Sequence, residues 1–135
     1  MSEQENLGVV QQFLQAMIGG DVAAASPMLA DDVVLVSPGP KDLVPWAGEF
    51  HGPTEALGYW AALNQAVEVT GMAASETIAQ GDKVVVLGHH EARVRATGKA
   101  YSMDWAMVYT VREGKVTAVR SYHDTYLVAE AARSD

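Results

Sequence analysis

The sequence predicts an α+β fold in which helices cover one face of a curved antiparallel sheet. Helical periodicity is confined to the first half of the chain, up to about residue 67. The remainder is a succession of strand-like segments separated by glycine-containing turns. Helices followed by strands are typical of α+β domains. A chain of 135 residues has the size of one domain with a single core, so we expect one domain over residues 1–135.

Apolar residues at three- and four-residue spacing between Leu7 and Ile18 indicate the first helix. Asn6 is a suitable N-cap for it, and Gly19-Gly20 follow as a stop signal. The sequence therefore predicts an amphipathic helix at the amino terminus.

Two further helices are expected before the sheet begins. A short one falls within residues 21–30 and leads into the apolar run 33–36. Residues 37–53 are rich in turn formers and predict a long loop, of the kind that often lines a site. Pro53 suits the first turn of a third helix that reaches about Val67.

The strands after residue 67 form an antiparallel meander with turns at "QGDK", "TGKA" and "REGK". Side chains alternate between the two faces of a strand, so the odd-numbered residues from Tyr101 to Val111 share one face. This set is bulky and apolar, and we place it on the concave side beneath the helices. Asp104 then points away from that side unless a bulge intervenes.

The turn at Glu113-Gly114 leaves the register of the last strand open. A two-residue loop places Asp124 opposite Met103, whereas a three-residue loop places His123 there. Glycine at a position that needs a left-handed backbone favours the longer loop. An acid beside Met103 makes better chemical sense of the shorter one, so both registers remain open.

Composition excludes several classes of function. The formal charge of −8 repels phosphate backbones and anionic lipids, so neither nucleic acid nor a membrane is an expected partner. The chain has no cysteine and no apolar leader or span, which predicts a cytoplasmic protein. The neighbours His89 and His90 point to opposite faces of a strand, so no metal site is predicted. Nucleotide-binding and serine-hydrolase motifs are also missing, and no cofactor is expected.

Four segments carry a family resemblance: the first helix ending in "GGD", the stretch "ADDVVLVSP", the segment "FHGPTEALGYWAAL" and the closing "VYTVREGKVTAVRSYHDT". Together they resemble the SnoaL-like, ketosteroid-isomerase-related branch of the nuclear-transport-factor-like superfamily. The resemblance implies a cone, in which a strongly curved, mixed but mostly antiparallel sheet wraps around N-terminal helices and an internal pocket. It also implies a homodimer formed through the outer face of the sheet. Members include isomerases, polyketide cyclases, epoxide hydrolases and non-catalytic binding modules, so the fold alone does not select a function.

The same resemblance places a pocket acid near the end of the last strand, where this chain has Asp124. A carboxyl group in an apolar pocket has a raised pKa and can act as a general base. The alternative is that Asp124 caps a helix over residues 125–132. His123 is a candidate proton shuttle, or else faces outward because strand neighbours alternate. Asp104 is the third catalytic candidate, with a surface carboxylate as the alternative. Many relatives carry a histidine in the preceding strand, at the position where this chain has Met107.

Aromatic and sulfur-containing side chains are candidates for a substrate-binding wall, although such residues also fill cores. The predicted wall consists of Trp46, Trp60, Trp105, Met107, Tyr109 and Tyr122.

The leading functional hypothesis is a cofactor-independent isomerase or cyclase for a small apolar carbonyl or polyketide-like molecule, with Asp124 as the acid/base group. One alternative is a non-catalytic ligand-binding or dimeric assembly domain. Another is an epoxide-hydrolase-like enzyme, for which Asp104, Arg120 and Asp124 supply the residue types.

Overall fold

Helices and strands alternate only in the first half of the chain, and the second half is nearly all sheet. The structure, a computed structural model, describes residues 2–134. Its elements are α1 (Glu3–Ile18), α2 (Val22–Ala25), a 3-10 turn (Ser26–Met28), β1 (Leu29–Ser37), β2 (Gly48–His51), α3 (Gly52–Ala66), β3 (Val67–Gln80), β4 (Lys83–Val94), β5 (Ala100–Arg112), β6 (Lys115–His123) and α4 (Thr125–Ala132). The predicted long loop is therefore interrupted by the short strand β2.

The strands form one open sheet in the order β2-β1-β6-β5-β4-β3. All neighbours pair antiparallel except β1 and β6, which run parallel. Register shifts in three of the strand pairs add local bends, as bulges do. Helices α1 and α3 cover the concave face, where side chains such as Phe13, Leu35 and Tyr109 are fully buried. The predicted α+β architecture with a mixed, mostly antiparallel sheet is confirmed.

Helix α1 begins earlier than predicted. The Ser2 hydroxyl accepts a hydrogen bond from the Glu5 amide at 3.1 Å, and the Glu5 carboxylate accepts one from the Ser2 amide at 3.0 Å. This reciprocal pair is a capping box. Asn6 lies inside the helix, is buried, and donates to the Gly81 carbonyl at 3.2 Å. The prediction of Asn6 as the N-cap is wrong, because the capping box fixes the helix start upstream.

The β5–β6 hairpin has the two-residue loop, and Glu113 and Gly114 both have positive φ angles, of 52° and 78°. The strands nevertheless adopt neither predicted register. A register shift within β6 leaves Thr117 as an extra residue, so Trp105 lies opposite His123. Both registers predicted for the end of the hairpin are wrong. The bulge at Thr117, two residues after the start of β6, shifts the pairing of all later residues in the strand by one.

This bulge decides which residues of β6 face the helices. Beyond Thr117 the buried residues are Val119 and Ser121, with His123 half-buried, whereas Arg120 and Tyr122 are exposed. His123 therefore belongs to the concave face, and the strand ends before Asp124.

Candidate active site

A cavity of about 410 Å³ lies between the concave face of the sheet and the helices α1 and α3. This volume is within the range of small-molecule sites. Large aromatic side chains make up much of its wall. They are Phe13, Trp46, Tyr59, Trp60, Tyr101, Trp105 and Tyr109. The cavity can therefore hold a small, largely apolar molecule.

The structure brings together most of the predicted wall. Residues Trp46, Trp60, Trp105, Met107 and Tyr109 all line the cavity. Tyr122 does not, and the expectation for it is wrong. The bulge in β6 turns Tyr122 to the outer face, where it is 50% exposed and Arg120 lies over its ring at 5.2 Å.

Asp124 does not lie in the cavity. It is exposed and occupies the N-cap of α4, where its Oδ1 atom accepts a hydrogen bond from the Leu127 amide at 3.1 Å. A carboxylate at a helix N-terminus satisfies a free amide and interacts favourably with the helix dipole. The prediction of a solvent-poor environment for Asp124 is wrong, and the capping alternative describes what the structure shows.

Asp104 lies on the outer face, as strand alternation indicates. Its carboxylate is 2.9 Å from His89 Nδ1, and His89 Nε2 is 2.9 Å from the Ser102 hydroxyl. Serine, histidine and aspartate in this order have the residue types of a hydrolytic triad. However, the Asp104 side chain is 93% exposed, and none of the three lines the cavity. A catalytic position for Asp104 in the cavity is therefore not what the structure shows.

The epoxide-hydrolase-like set is likewise not assembled. Asp104 and Arg120 are exposed on the outer face, and Asp124 caps α4. The cavity wall contains none of them.

His123 supplies one titratable group of the cavity. Its Nδ1 atom is 3.0 Å from the Ser121 hydroxyl, and Ser121 in turn lies beside the buried Tyr59 hydroxyl, whose pKa is raised by burial and held back by Ser37 and Ser121. Burial lowers the pKa of His123, and the neighbouring Asp124 carboxylate opposes this. The imidazole is thus kept neutral to lower pH than an ordinary histidine.

His90 supplies the second imidazole, on β4. Its Nε2 atom is 3.3 Å from the Tyr101 hydroxyl, and the two rings meet edge to face at 5.4 Å. Burial lowers the pKa of His90, and the positive charges that His123 and His89 can carry lower it further. Burial raises the pKa of Tyr101 to about 12, so its hydroxyl remains a hydrogen-bond donor.

Sequence reasoning misses His90 when the pair His89-His90 is tested only as a metal site. The signal that finds it is alternation along β4. His90 is in phase with Val84 and Val86, which are buried apolar residues. That phase alone places His90 on the concave face.

The described cavity wall contains no aspartate, glutamate, lysine or arginine. Its titratable groups are the two histidines and the tyrosines. Neutral imidazoles can accept a proton and hydroxyls can donate hydrogen bonds to oxygen, so the wall can support acid/base chemistry without a fixed charge.

Trp105 forms part of the floor of the cavity by lying over Gly88, its cross-strand partner. A Cβ atom at Gly88 would come within 2.7 Å of both the indole and the Ala73 carbonyl oxygen. Only glycine leaves room for the ring there. The indole Nε1 atom is buried and without a hydrogen-bond partner.

Residues 2–134 contain no cluster of three or more potential metal-ligating side chains. None of their helices has both the length and the hydropathy to cross a membrane.

The family model of the SnoaL-like domain matches residues 10–119. The chain belongs to this family. The match begins within α1 and spans α3 and all of the strands except the end of β6. No protein of curated function matches the sequence.

Solved structures share the architecture over nearly the full chain. An NTF2-like protein from Burkholderia xenovorans LB400 is 34% identical, with a TM-score of 0.90, and the similarity covers 98% of this chain and 99% of that one. TerC, co-crystallised with polyporic acid, is 25% identical, with a TM-score of 0.80 and coverage of 95% and 98%. A protein from Catenulispora acidiphila with a ketosteroid isomerase-like fold, in complex with trimethylamine, is 16% identical, with a TM-score of 0.73 and coverage of 92% and 91%; this likeness concerns the fold alone.

Proposed function

We propose that this SnoaL-like protein is a cofactor-independent enzyme that uses His123 as a general base on a small, oxygen-bearing, largely apolar molecule. Isomerisation or cyclisation is the reaction class that suits it. The observation that carries the proposal is a half-buried imidazole of lowered pKa beside buried hydroxyl groups, in a cavity without carboxylates. His123 thereby takes the role that the sequence suggested for Asp124.

The chemistry follows from the hydrogen bond between His123 and Ser121. In the tautomer whose Nδ1–H donates to the Ser121 hydroxyl, the Nε2 lone pair is free to accept a proton. It takes that proton from a carbon next to a carbonyl group, and the electron pair moves onto the carbonyl oxygen as an enolate. The Tyr101 and Tyr59 hydroxyls are the available donors to that oxygen.

The proton is then returned, so no net oxidant, reductant or co-reactant is required. In an isomerisation, the protonated His123 delivers it to a different carbon of the same molecule. In a cyclisation, the enolate carbon attacks a second carbonyl of the molecule, and His123 protonates the resulting alkoxide. His90, paired with Tyr101, helps to orient the hydroxyl that binds the oxygen.

The comparison with TerC supports a small-molecule ligand. TerC was crystallised with polyporic acid and resembles this chain across nearly its whole length. Its likeness supports ligand binding by the fold, and the chemistry proposed for this chain depends on its own residues.

The experiment tests the proton-abstraction step directly. Exchange of the protons next to the carbonyl of 2-tetralone is followed by NMR in D₂O, with and without the protein. We expect the protein to accelerate exchange and His123→Gln to lose about 10²- to 10⁴-fold of that acceleration, the usual contribution of a general base. His89→Gln is the matched control, because His89 lies on the outer face, and it should exchange at the wild-type rate. Equal rates for His123→Gln and wild type would remove His123 from the mechanism.

A second candidate is a non-catalytic ligand-binding domain. The observation in its favour is the wall itself, which is mainly aromatic and apolar and contains no carboxylate. Saturable binding of 2-tetralone without any acceleration of exchange would select this candidate over the enzyme.

We also propose that the outer face of the sheet pairs two copies of the chain, as the family resemblance implies. Val85, Leu87 and Val108 are only half-buried there, and Ile78 is 51% exposed. These side chains lie on adjacent strands and form an apolar face that a second copy would cover.

Light scattering at micromolar concentration checks the dimer. The wild-type protein should have about twice the mass of one 14.4 kDa chain. Val108→Lys should give the monomer mass, because a charge in the centre of the face opposes pairing. Ile18→Lys is the control, since Ile18 is exposed at the other side of the molecule and should leave the dimer intact. A monomeric wild type would refute the interface.

A further inference from the structure

The mouth of the cavity is formed by apolar side chains that are exposed to solvent. Ile18 at the end of α1 is 77% exposed, and Val69 and Met72 on β3 are 37% and 50% exposed. All three line the cavity. We call these three residues the apolar rim. Exposed large apolar side chains that continue a cavity wall indicate a surface on which part of a ligand rests.

A bulge builds this rim. Val69 and Met72 are three residues apart, so a regular strand would send one of them to the outer face. The register of β3 shifts between Val69 and Gly71, and Met72 pairs with His90 on the concave side. Both apolar side chains therefore face the cavity, together with Ile18 from the facing helix.

Four polar groups of the cavity lie deeper than the rim, whereas Asn64 also lines the cavity but is exposed near its mouth. Tyr59 and His90 are each 6% exposed, Tyr101 is 7% exposed and Ser121 is 5% exposed. The cavity is thus polar in its interior, and its mouth is mainly apolar, with three exposed apolar side chains and the single amide of Asn64. A ligand that matches this order has its oxygen atoms at one end and an apolar part at the other.

We propose that the ligand enters with its oxygen-bearing end first and that an apolar substituent at its opposite end rests on the rim. The inference deepens the proposed function, on which it rests for the identity of the reacting end. The ligand class is an aromatic or polycyclic ketone or phenol with an alkyl or other apolar extension. Its oxygen-bearing end is uncharged, because the described wall offers no cation to bind a carboxylate or phosphate.

Binding can be followed by intrinsic fluorescence. The chain has three tryptophans, and Trp46, Trp60 and Trp105 all line the cavity. A change in their emission thus reports occupancy of the cavity itself, and calorimetry gives the affinity independently.

The experiment uses a series of 4-alkylphenols from ethyl to octyl. In the wild-type protein we expect the affinity to rise about fourfold for each methylene that reaches the cavity wall or the rim. The double variant Ile18→Ser/Met72→Ser should bind 4-ethylphenol like wild type but should lose the gain from the outer methylenes. Val22→Ser is the matched control, because Val22 is 49% exposed and does not line the cavity. It should retain the full dependence on chain length.

An inner variant tests the other end of the ligand. Tyr101→Phe removes one hydroxyl and should weaken every member of the series by the same factor, about threefold to tenfold. Where Tyr101→Phe does not fold, as judged by circular dichroism, His90→Gln provides the same test. The inference is overturned when no phenol binds, when the rim variant keeps the wild-type dependence on chain length, or when the inner variants bind all phenols like wild type.

The exchange assay separates this inference from the proposed function. Binding with the expected dependence on chain length, without proton exchange of 2-tetralone, removes the enzyme and leaves the orientation of the ligand standing. Exchange with no dependence on the rim removes the orientation and leaves the enzyme standing.

Discussion

Two neighbouring residues, His123 and Asp124, have opposite surroundings although one peptide bond joins them. The imidazole is half-buried against the cavity, and the carboxylate is exposed at the N-cap of α4. The strand ends between them, so Asp124 is free to adopt the extended backbone that an N-cap requires. The hydrogen bond to the Leu127 amide then fixes it outside the cavity.

Substitutions at Asp124 distinguish a cap from a catalytic acid. Asp124→Ala should lower the free energy of unfolding by about 1 kcal/mol, because the Leu127 amide loses its acceptor. Asp124→Asn should be nearly neutral, since asparagine caps helices about as well as aspartate. Urea denaturation measures both. Proton exchange of 2-tetralone should survive in both variants, and its loss in a stable Asp124→Asn protein would restore Asp124 as the acid/base group.

For single residues, the sequence predicts which side chains face the cavity less well than the family resemblance suggests. Residue types near the end of the last strand are readily recognised, and the capping alternative for Asp124 follows from the helical segment after it. The facing of His123 does not follow, because it depends on Thr117, which fits a regular strand equally well. His90 could be found from alternation alone, since no bulge separates it from the buried valines of β4.

Two bulges, in β3 and in β6, determine what the sheet presents to the cavity. The bulge in β6 brings Ser121 and His123 to the concave side, and the bulge in β3 brings Val69 and Met72 to the mouth of the cavity. A single extra residue reverses the facing of every later side chain in a strand. Periodicity therefore predicts the existence of these strands well, and it predicts their inward faces only up to the first bulge.

Helix α1 is attached to the sheet through the β3–β4 turn. Asn6 donates to the Gly81 carbonyl at 3.2 Å, and the Gly81 amide donates to the Glu3 carboxylate at 2.7 Å. The helix contributes Phe13 and Ile18 to the cavity. These two hydrogen bonds thus connect α1, which forms one wall of the cavity, to the β3–β4 turn.

Asn6→Ala should lower the free energy of unfolding by about 1 kcal/mol, because the partly buried hydrogen bond to the Gly81 carbonyl loses its donor. The loss of stability is reduced because the variant also removes the Asn6 Oδ1 atom, which is buried without a hydrogen-bond partner and is therefore unfavourable in the wild type. Chemical denaturation measures the effect. Gln4→Ala, at an exposed position of the same helix, is the control and should change stability by less than about 0.5 kcal/mol. Equal stability of Asn6→Ala and wild type would show that the helix needs no such anchor.

At the scale of the whole molecule, the predicted architecture is confirmed, whereas the predicted position of Asp124 inside the cavity is wrong. Helices before strands, together with the quoted segments, indicate a curved mixed sheet around helices, and this depends on the average character of long segments. A site depends on single side chains, each subject to a bulge or a cap. The molecule also separates its charge from its cavity. The charged side chains that give the net charge of −8 lie outside the described cavity wall. The titratable groups of that wall are histidines and tyrosines, which are neutral near pH 7.

This arrangement predicts how the stability of the molecule depends on pH. Burial lowers the pKa values of His90 and His123 in the folded state below the ordinary value of about 6.5 that they regain on unfolding. Below pH 6.5 the unfolded chain therefore binds more protons than the folded one, and the free energy of unfolding must fall as the pH decreases. The fall ends once the pH is below the lowered values of the folded state. The groups that act on these imidazoles are each other, Tyr59, Tyr101, His89 in the case of His90 and Asp124 in the case of His123, and none of the tyrosines ionises in this range.

Urea denaturation between pH 7.5 and the onset of carboxylate titration, near pH 5, measures this dependence. The double variant His90→Gln/His123→Gln should be less sensitive to pH than wild type across this window, because its cavity has no imidazole to protonate. Each single variant should retain part of the slope, and His90 should lose some of its shift in His123→Gln, since the charge of His123 contributes to it. A wild-type slope of zero in this window, or an undiminished slope in the double variant, would show that the two imidazoles are protonated as easily in the cavity as in water. The cavity could then not hold His123 neutral by burial, and the proposed base would lose its physical support.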